Sequence, residues 1–140
     1  MNTKFLIAGI AGFLVSLVGG FLVHAVFLHA DYAQLPNLMR TEIDAQGHLP
    51  FLLFSHLIKG FAFAWIYSRG ISVGVSWITQ GIRFGIAAVC LVTIPIYLVY
   101  YSVEPMPGML VVKQIVFDSI GMIVMAIVVA FIYKSSAETK

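Results

Sequence analysis

Five residues stand out because their chemistry conflicts with their surroundings. His24, His56, Lys59, Tyr97 and Asp118 each lie within a long apolar stretch of the chain. On insertion scales an ionisable side chain costs roughly 2.5–3.5 kcal/mol at the centre of a bilayer, so such a group needs a partner, water or a purpose. His56 and Lys59 are three residues apart and share one face of a helix. Gln114 precedes Asp118 by one helical turn. Lys59 and Asp118 can neutralise each other as a charge pair, while the imidazoles and the phenol hydrogen-bond between helices. In one reading that network only fixes which helices are neighbours. In another, the same five side chains form a ligand-binding site for a polar or amphipathic small molecule.

The same residues admit other chemistries. His24 and His56 could serve as the two axial ligands of a b-type haem, with Gly20 and Gly60, each four residues from a histidine, leaving room for a flat macrocycle. A zinc or other metal site would draw on His24, His56 and Asp118 with the loop histidines His29 and His48. The expectation is nevertheless that no cofactor is bound. A proton relay or an isomerase would use His56, Lys59 and Asp118 as acid–base groups. No Ser/His/Asp or Cys/His arrangement, phosphate loop or HExxH pattern is present, so no catalytic residue is assigned and the balance is against an enzyme. Cys90 is the one cysteine, which excludes an intramolecular disulfide and any CxxC motif. It is expected as a small core hydrophobe with an inert, protonated thiol.

The elements that carry these groups are transmembrane helices. The chain has 140 residues, of which 61% are hydrophobic and only 10% charged, against roughly 25% charged in soluble domains. Four apolar stretches, at about 5–28, 51–67, 77–103 and 110–133, approach or exceed the roughly 18 residues that a bilayer core demands. They predict an all-α, integral membrane four-helix bundle, a single transmembrane domain over residues 1–140. The first stretch is too long for the apolar core of a cleaved leader, which runs about 7–15 residues, so it is read as a retained span. The scattered basic residues form no patch with interleaved aromatics, which excludes nucleic acid as a partner.

Counting about 1.5 Å per residue, His24 lies about 6 Å and His56 about 8 Å from the outer ends of their spans. Lys59 is one turn deeper, and Asp118 lies about 10–12 Å down the fourth span with Tyr97 at a similar level on the third. Four helices thus contribute to one polar layer. Gly12, Ser16 and Gly20 recur every four residues, as do Gly81 and Gly85, giving small-residue faces for close helix packing. Leu35, Met39 and Ile43 repeat at the same interval between Pro36 and Gly47, which predicts a short interfacial helix in the first external loop. Pro95 should bend the third span, and the Glu104–Gly108 run, with two prolines, is a loop.

Lys4, Arg69, Lys134 and Lys140 fall on one side, against Arg40 and Lys113 on the other, so the positive-inside rule puts both termini in the cytoplasm. Arg83, with Gln80 on its face, is expected to snorkel to the inner headgroups. Ala64–Ser68 echoes Ala130–Lys134, as either a duplicated hairpin or two helices meeting the same interface would produce. A glycine-rich first span, a long external loop, a second span ending Ile-Tyr-Ser-Arg-Gly and a third beginning Gly-Ile-Arg-Phe-Gly together resemble the small four-helix bacterial membrane proteins classed as domains of unknown function. That resemblance implies a bacterial inner-membrane location and supplies no site residues. With membrane lipid around it and little interior of its own, the chain is expected to act by association, as a homo-oligomer or as an accessory subunit beside other membrane proteins. Small-molecule binding is the alternative.

Overall fold

The computed structural model describes residues 3–134 and is all-α, with no strand among those residues. Its helices are α1 (Thr3–Phe27), α2 (His29–Tyr32), α3 (Glu42–Arg69), α4 (Trp77–Val103) and α5 (Gly108–Ile132). All but the short α2 are long and apolar enough to cross a membrane.

The expected interfacial helix is not formed. Leu35 to Met39 make only hydrogen-bonded turns, and Leu35 folds back against Val23, Leu28 and Leu110. Ile43 belongs instead to α3, which starts at Glu42, well before the expected boundary at Phe51, and leaves Ile43 86% exposed. The start has a local cause: the Thr41 side chain accepts a hydrogen bond from the Asp44 backbone N–H at 3.4 Å, and Glu42 and Asp44 complement the positive end of the helix. Pro50 is carried inside the helix at the cost of one backbone bond.

Small residues decide the pairing. A Cβ on Gly12 would sit 3.1 Å from the Gly60 Cα, and one on Gly60 would sit 2.3 Å from the Phe13 nitrogen, so α1 and α3 touch backbone to backbone. Ser16 and Gly20 continue that face onto His56. In the same way Gly85 would meet the Ile123 Cα at 2.8 Å and Gly81 the Ile127 Cα at 3.0 Å, which joins α4 to α5. α1 also packs on α5, giving the spatial order α3, α1, α5, α4. The two outer helices, α3 and α4, stay apart at the backbone and meet through Phe63 and Tyr67 against Phe84.

The half of the bundle nearest the termini is closed by aromatics. Tyr67 stacks against Phe84 and Tyr133 at 5.7 and 5.8 Å between ring centres, over fully buried Ala8, Ala64, Val129 and Ala130. The repeated segments noted in the sequence therefore put both their alanines and both their tyrosines into one cluster. Their other aromatics face outward beneath cations, Arg69 over Trp65 and Lys134 over Phe131. Gln80 does not share an exposed face with Arg83; it is buried, and its amide bonds the backbone of Ser72 and Val75, holding the turn between α3 and α4.

The opposite half is less regular. α1 widens into a π-helix over Phe21–Phe27, and α4 does so over Val89–Thr93, immediately before Pro95, whose missing N–H disrupts the regular ladder. Cys90 lies in that stretch and is exposed on the outside of the bundle, contrary to its expected core position, because the residues of α4 that face α5 are Ala88 and Val89. Lys140, one of the residues used to orient the chain, lies outside the described residues.

Candidate functional site

In the irregular half the four long helices surround a cavity of about 440 Å³. All five polar residues singled out from the sequence line it: His24 on α1, His56 and Lys59 on α3, Tyr97 on α4 and Asp118 on α5. Its floor is apolar, formed by Met122 and Met125. Both π-helical stretches contribute wall residues, Val23 and His24 from one and Val92 and Thr93 from the other.

The groups do not pair as expected. Asp118 is held by His24, whose Nε2 lies 3.3 Å from its carboxylate, and by the Tyr97 hydroxyl, which donates a hydrogen bond to the same oxygen. His24 Nδ1 is in turn 2.7 Å from the hydroxyl of Tyr32, which receives a hydrogen bond from Gln114 Nε2 at 2.9 Å. One assignment satisfies these contacts: Gln114 donates to Tyr32, Tyr32 to His24 Nδ1, and both His24 Nε2–H and Tyr97 donate to Asp118. Burial pushes the Tyr32 phenol above its ordinary pKa, so it remains a donor at neutral pH.

Lys59 is left over. It is half-buried on the cavity wall and makes no ion pair or hydrogen bond among the described residues, so the expected Lys59–Asp118 bridge is replaced by the His24–Asp118–Tyr97 arrangement. Both donors to the carboxylate meet the same oxygen, and Lys59 acts on it only through space. His56 is anchored through Nδ1 to the Ser16 hydroxyl at 2.7 Å. A Cβ on Gly20 would lie 3.1 Å from the His56 ring, so the glycine makes room for an imidazole. With both nitrogens of His24 engaged by Tyr32 and Asp118, the two histidines are not set out as a free axial pair. No group of three or more metal-ligating side chains exists among the described residues, and His29 and His48 lie outside the cavity wall.

Tyr32 is the participant that the sequence reading missed. It lies in a polar connection rather than a span, but the four-residue interval His24, Leu28, Tyr32 continues one face of α1 and was the available signal. The connection is tied down by Asp31, which accepts hydrogen bonds from Lys113 at 2.8 and 2.9 Å, and by the burial of Leu28 against Leu110. It covers the α1–α5 side of the site. On the other side the wall residues Leu52 and Ser55 of α3 face a site shared with Val92, Ile96 and Tyr100 of α4, and all five are exposed.

No family model matches the chain, and no curated protein or solved structure is significantly similar to it. The site is therefore interpreted from its own chemistry.

Proposed function

We propose that the protein is an integral membrane protein that binds a small molecule in the cavity between its four spanning helices. The membrane reading rests on the length and hydropathy of those helices and on large apolar side chains that point outward from all of them, Ile7, Phe54, Leu91 and Ile120 among them. Lys4, Arg69 and Lys134 at one end support termini on the cytoplasmic side, which places the cavity in the outer half of the membrane.

The observation that carries the binding reading is Lys59, which stands on the cavity wall with no hydrogen bond or ion pair among the described residues while Asp118 is held by His24 and Tyr97. A purely structural network would place the lysine against the aspartate. The volume of about 440 Å³ also falls within the roughly 300–1,000 Å³ typical of small-ligand pockets. Association with a second copy or with other subunits was motivated by the small-residue faces, and Gly12, Gly81 and Gly85 are used within the chain itself. The hydrogen-bond chain from Gln114 to Asp118 favours one second reading, a proton relay between the connection and the cavity.

Gly121 and Gly19 line the cavity, and a Cβ at either meets nothing within 4 Å. Gly121→Leu should fill the space while leaving the fold intact, with Gly19→Leu as an independent plug from α1. Native mass spectrometry of protein released from lipid nanodiscs should show a bound small molecule on the wild type that both variants lose. Wild-type protein with no adduct, or an adduct kept by both folded variants, would count against the reading.

A further inference from the structure

Resting on that binding reading, we infer that the ligand is a single-chain anionic amphiphile that enters sideways from the membrane between α3 and α4, its head on Lys59 and its chain along the gap. Three observations converge on this class of molecule.

The first is charge. The cavity holds one carboxylate and one ammonium, and only the carboxylate takes part in hydrogen bonds among the described residues. Asp118 receives donors from His24 and Tyr97 on one of its oxygens, whereas Lys59 has no hydrogen-bond acceptor among the described residues. A cationic head would compete with two donors already in place, whereas an anionic head supplies what is missing. An ammonium partly withdrawn from water gains most from an ionised acceptor.

The second is access. The connection between α1 and α3 is fastened over the α1–α5 side by Asp31–Lys113 and Tyr32–Gln114. Beyond the Phe63–Phe84 contact α3 and α4 stay apart at the backbone, and their facing stripes, Leu52, Ser55 and Lys59 on one and Val92, Ile96 and Tyr100 on the other, leave the cavity bounded by side chains that are still partly exposed. Leu52 is 52% exposed and Val92 45%. Those stripes face the hydrocarbon of the surrounding bilayer.

The third is polarity along the gap. Apart from Ser55, Lys59 and the Tyr100 hydroxyl, its walls are aliphatic, and Thr93 and the methionines continue inward. Such walls accept an alkyl chain, while a small hydrophilic anion would leave them unused. Phe63 and Phe84, 5.0 Å apart between ring centres, close the gap on the terminal side of Lys59, so a chain can run only away from them, toward Leu52 and Ile96.

The test uses the full chain in lipid nanodiscs with a long-chain carboxylate bearing a photoreactive diazirine. Mass spectrometry should locate the label on Leu52, Ser55, Val92 or Ile96. Dodecanoate and dodecyl phosphate should compete, the cation dodecyltrimethylammonium should not, and Lys59→Met should weaken competition by at least about tenfold, as loss of one charge-assisted hydrogen bond brings. Lys59→Arg should retain it, which separates loss of charge from loss of fold. Equal competition by the cation, or no effect of Lys59→Met, overturns the anionic head. Equal competition by butyrate overturns the membrane-dissolved chain while leaving a ligand site. Absence of saturable label overturns this inference; the proposed binding function falls with it only if wild-type protein also carries no adduct that Gly121→Leu removes.

Discussion

The two halves of the bundle are built from the same four helices, yet they meet the cost of their polar groups in opposite ways. In the terminal half, aromatic rings close the centre, and the Tyr67 hydroxyl is buried there without a partner. Packing dominates, and buried hydroxyls without a partner are tolerated, that of Tyr133 as well as that of Tyr67. In the connection half, both π-helical stretches widen the helices, a small core of Val23, Leu28 and Leu110 flanks a cavity, and Asp118, His24, Tyr97 and Tyr32 hydrogen-bond one another while Gln114 Oε1 is buried without a partner. The comparison teaches that close packing and open space are separated along the helix axes: close glycine contacts and rings hold the bundle, leaving the far half free to keep a hollow with Lys59 on its wall.

The sharpest way to break this division is to attack the close contacts. Gly60→Val places side-chain atoms against the Phe13 backbone, which cannot yield as a side chain can, and should cost about 3 kcal/mol or more, read as lost monodisperse protein in detergent or a steep fall in thermal midpoint. Next in size is Asp118→Leu, which strands His24 Nε2–H and the Tyr97 hydroxyl and should cost about 1–3 kcal/mol, with Asp118→Asn milder because it keeps one acceptor. A normal midpoint for Asp118→Leu would mean that the hydrogen-bond chain does not form. The smallest effect belongs to the terminal half: Tyr67→Phe removes a hydroxyl that has no partner and should be neutral or stabilising by up to about 1 kcal/mol. A clear loss of stability there would show that the hydroxyl is bonded and that the halves differ less than described.

Much of this contrast was legible in the sequence because helices long and apolar enough to cross a membrane reveal themselves by composition. The spans, the glycine faces and the five polar residues could be read from length, spacing and the cost of burying charge, and the depths counted along the helices brought His24, His56, Lys59, Tyr97 and Asp118 to one level. Their pairing was not legible. The choice of His24 over Lys59 as the partner of Asp118 depends on the rotation of α1, which its π-helical stretch alters, and hydropathy carries no sign of such a stretch. Tyr32 was hidden by its position in a polar connection. The start of α3 was missed because Pro50 looked like a boundary, although Thr41-Glu42-Ile43-Asp44 already had the pattern of a helix cap. Cys90 was misplaced because an apolar stretch does not say which of its residues face inward.

The central claim is that Lys59 is unpaired until an anionic head arrives. It is tested most directly by the thermal midpoint of the protein in lipid nanodiscs, measured with and without dodecanoate for the wild type and for Lys59→Met. Without dodecanoate, Lys59→Met should be as stable as the wild type or more so, because it removes a half-buried cation that has no hydrogen-bond acceptor among the described residues. With dodecanoate, the wild-type midpoint should climb with concentration, as a ligand bound only by the folded state requires, while that of Lys59→Met stays flat. A destabilised Lys59→Met, or equal shifts in both proteins, would contradict the account and return Lys59 to a structural ion pair.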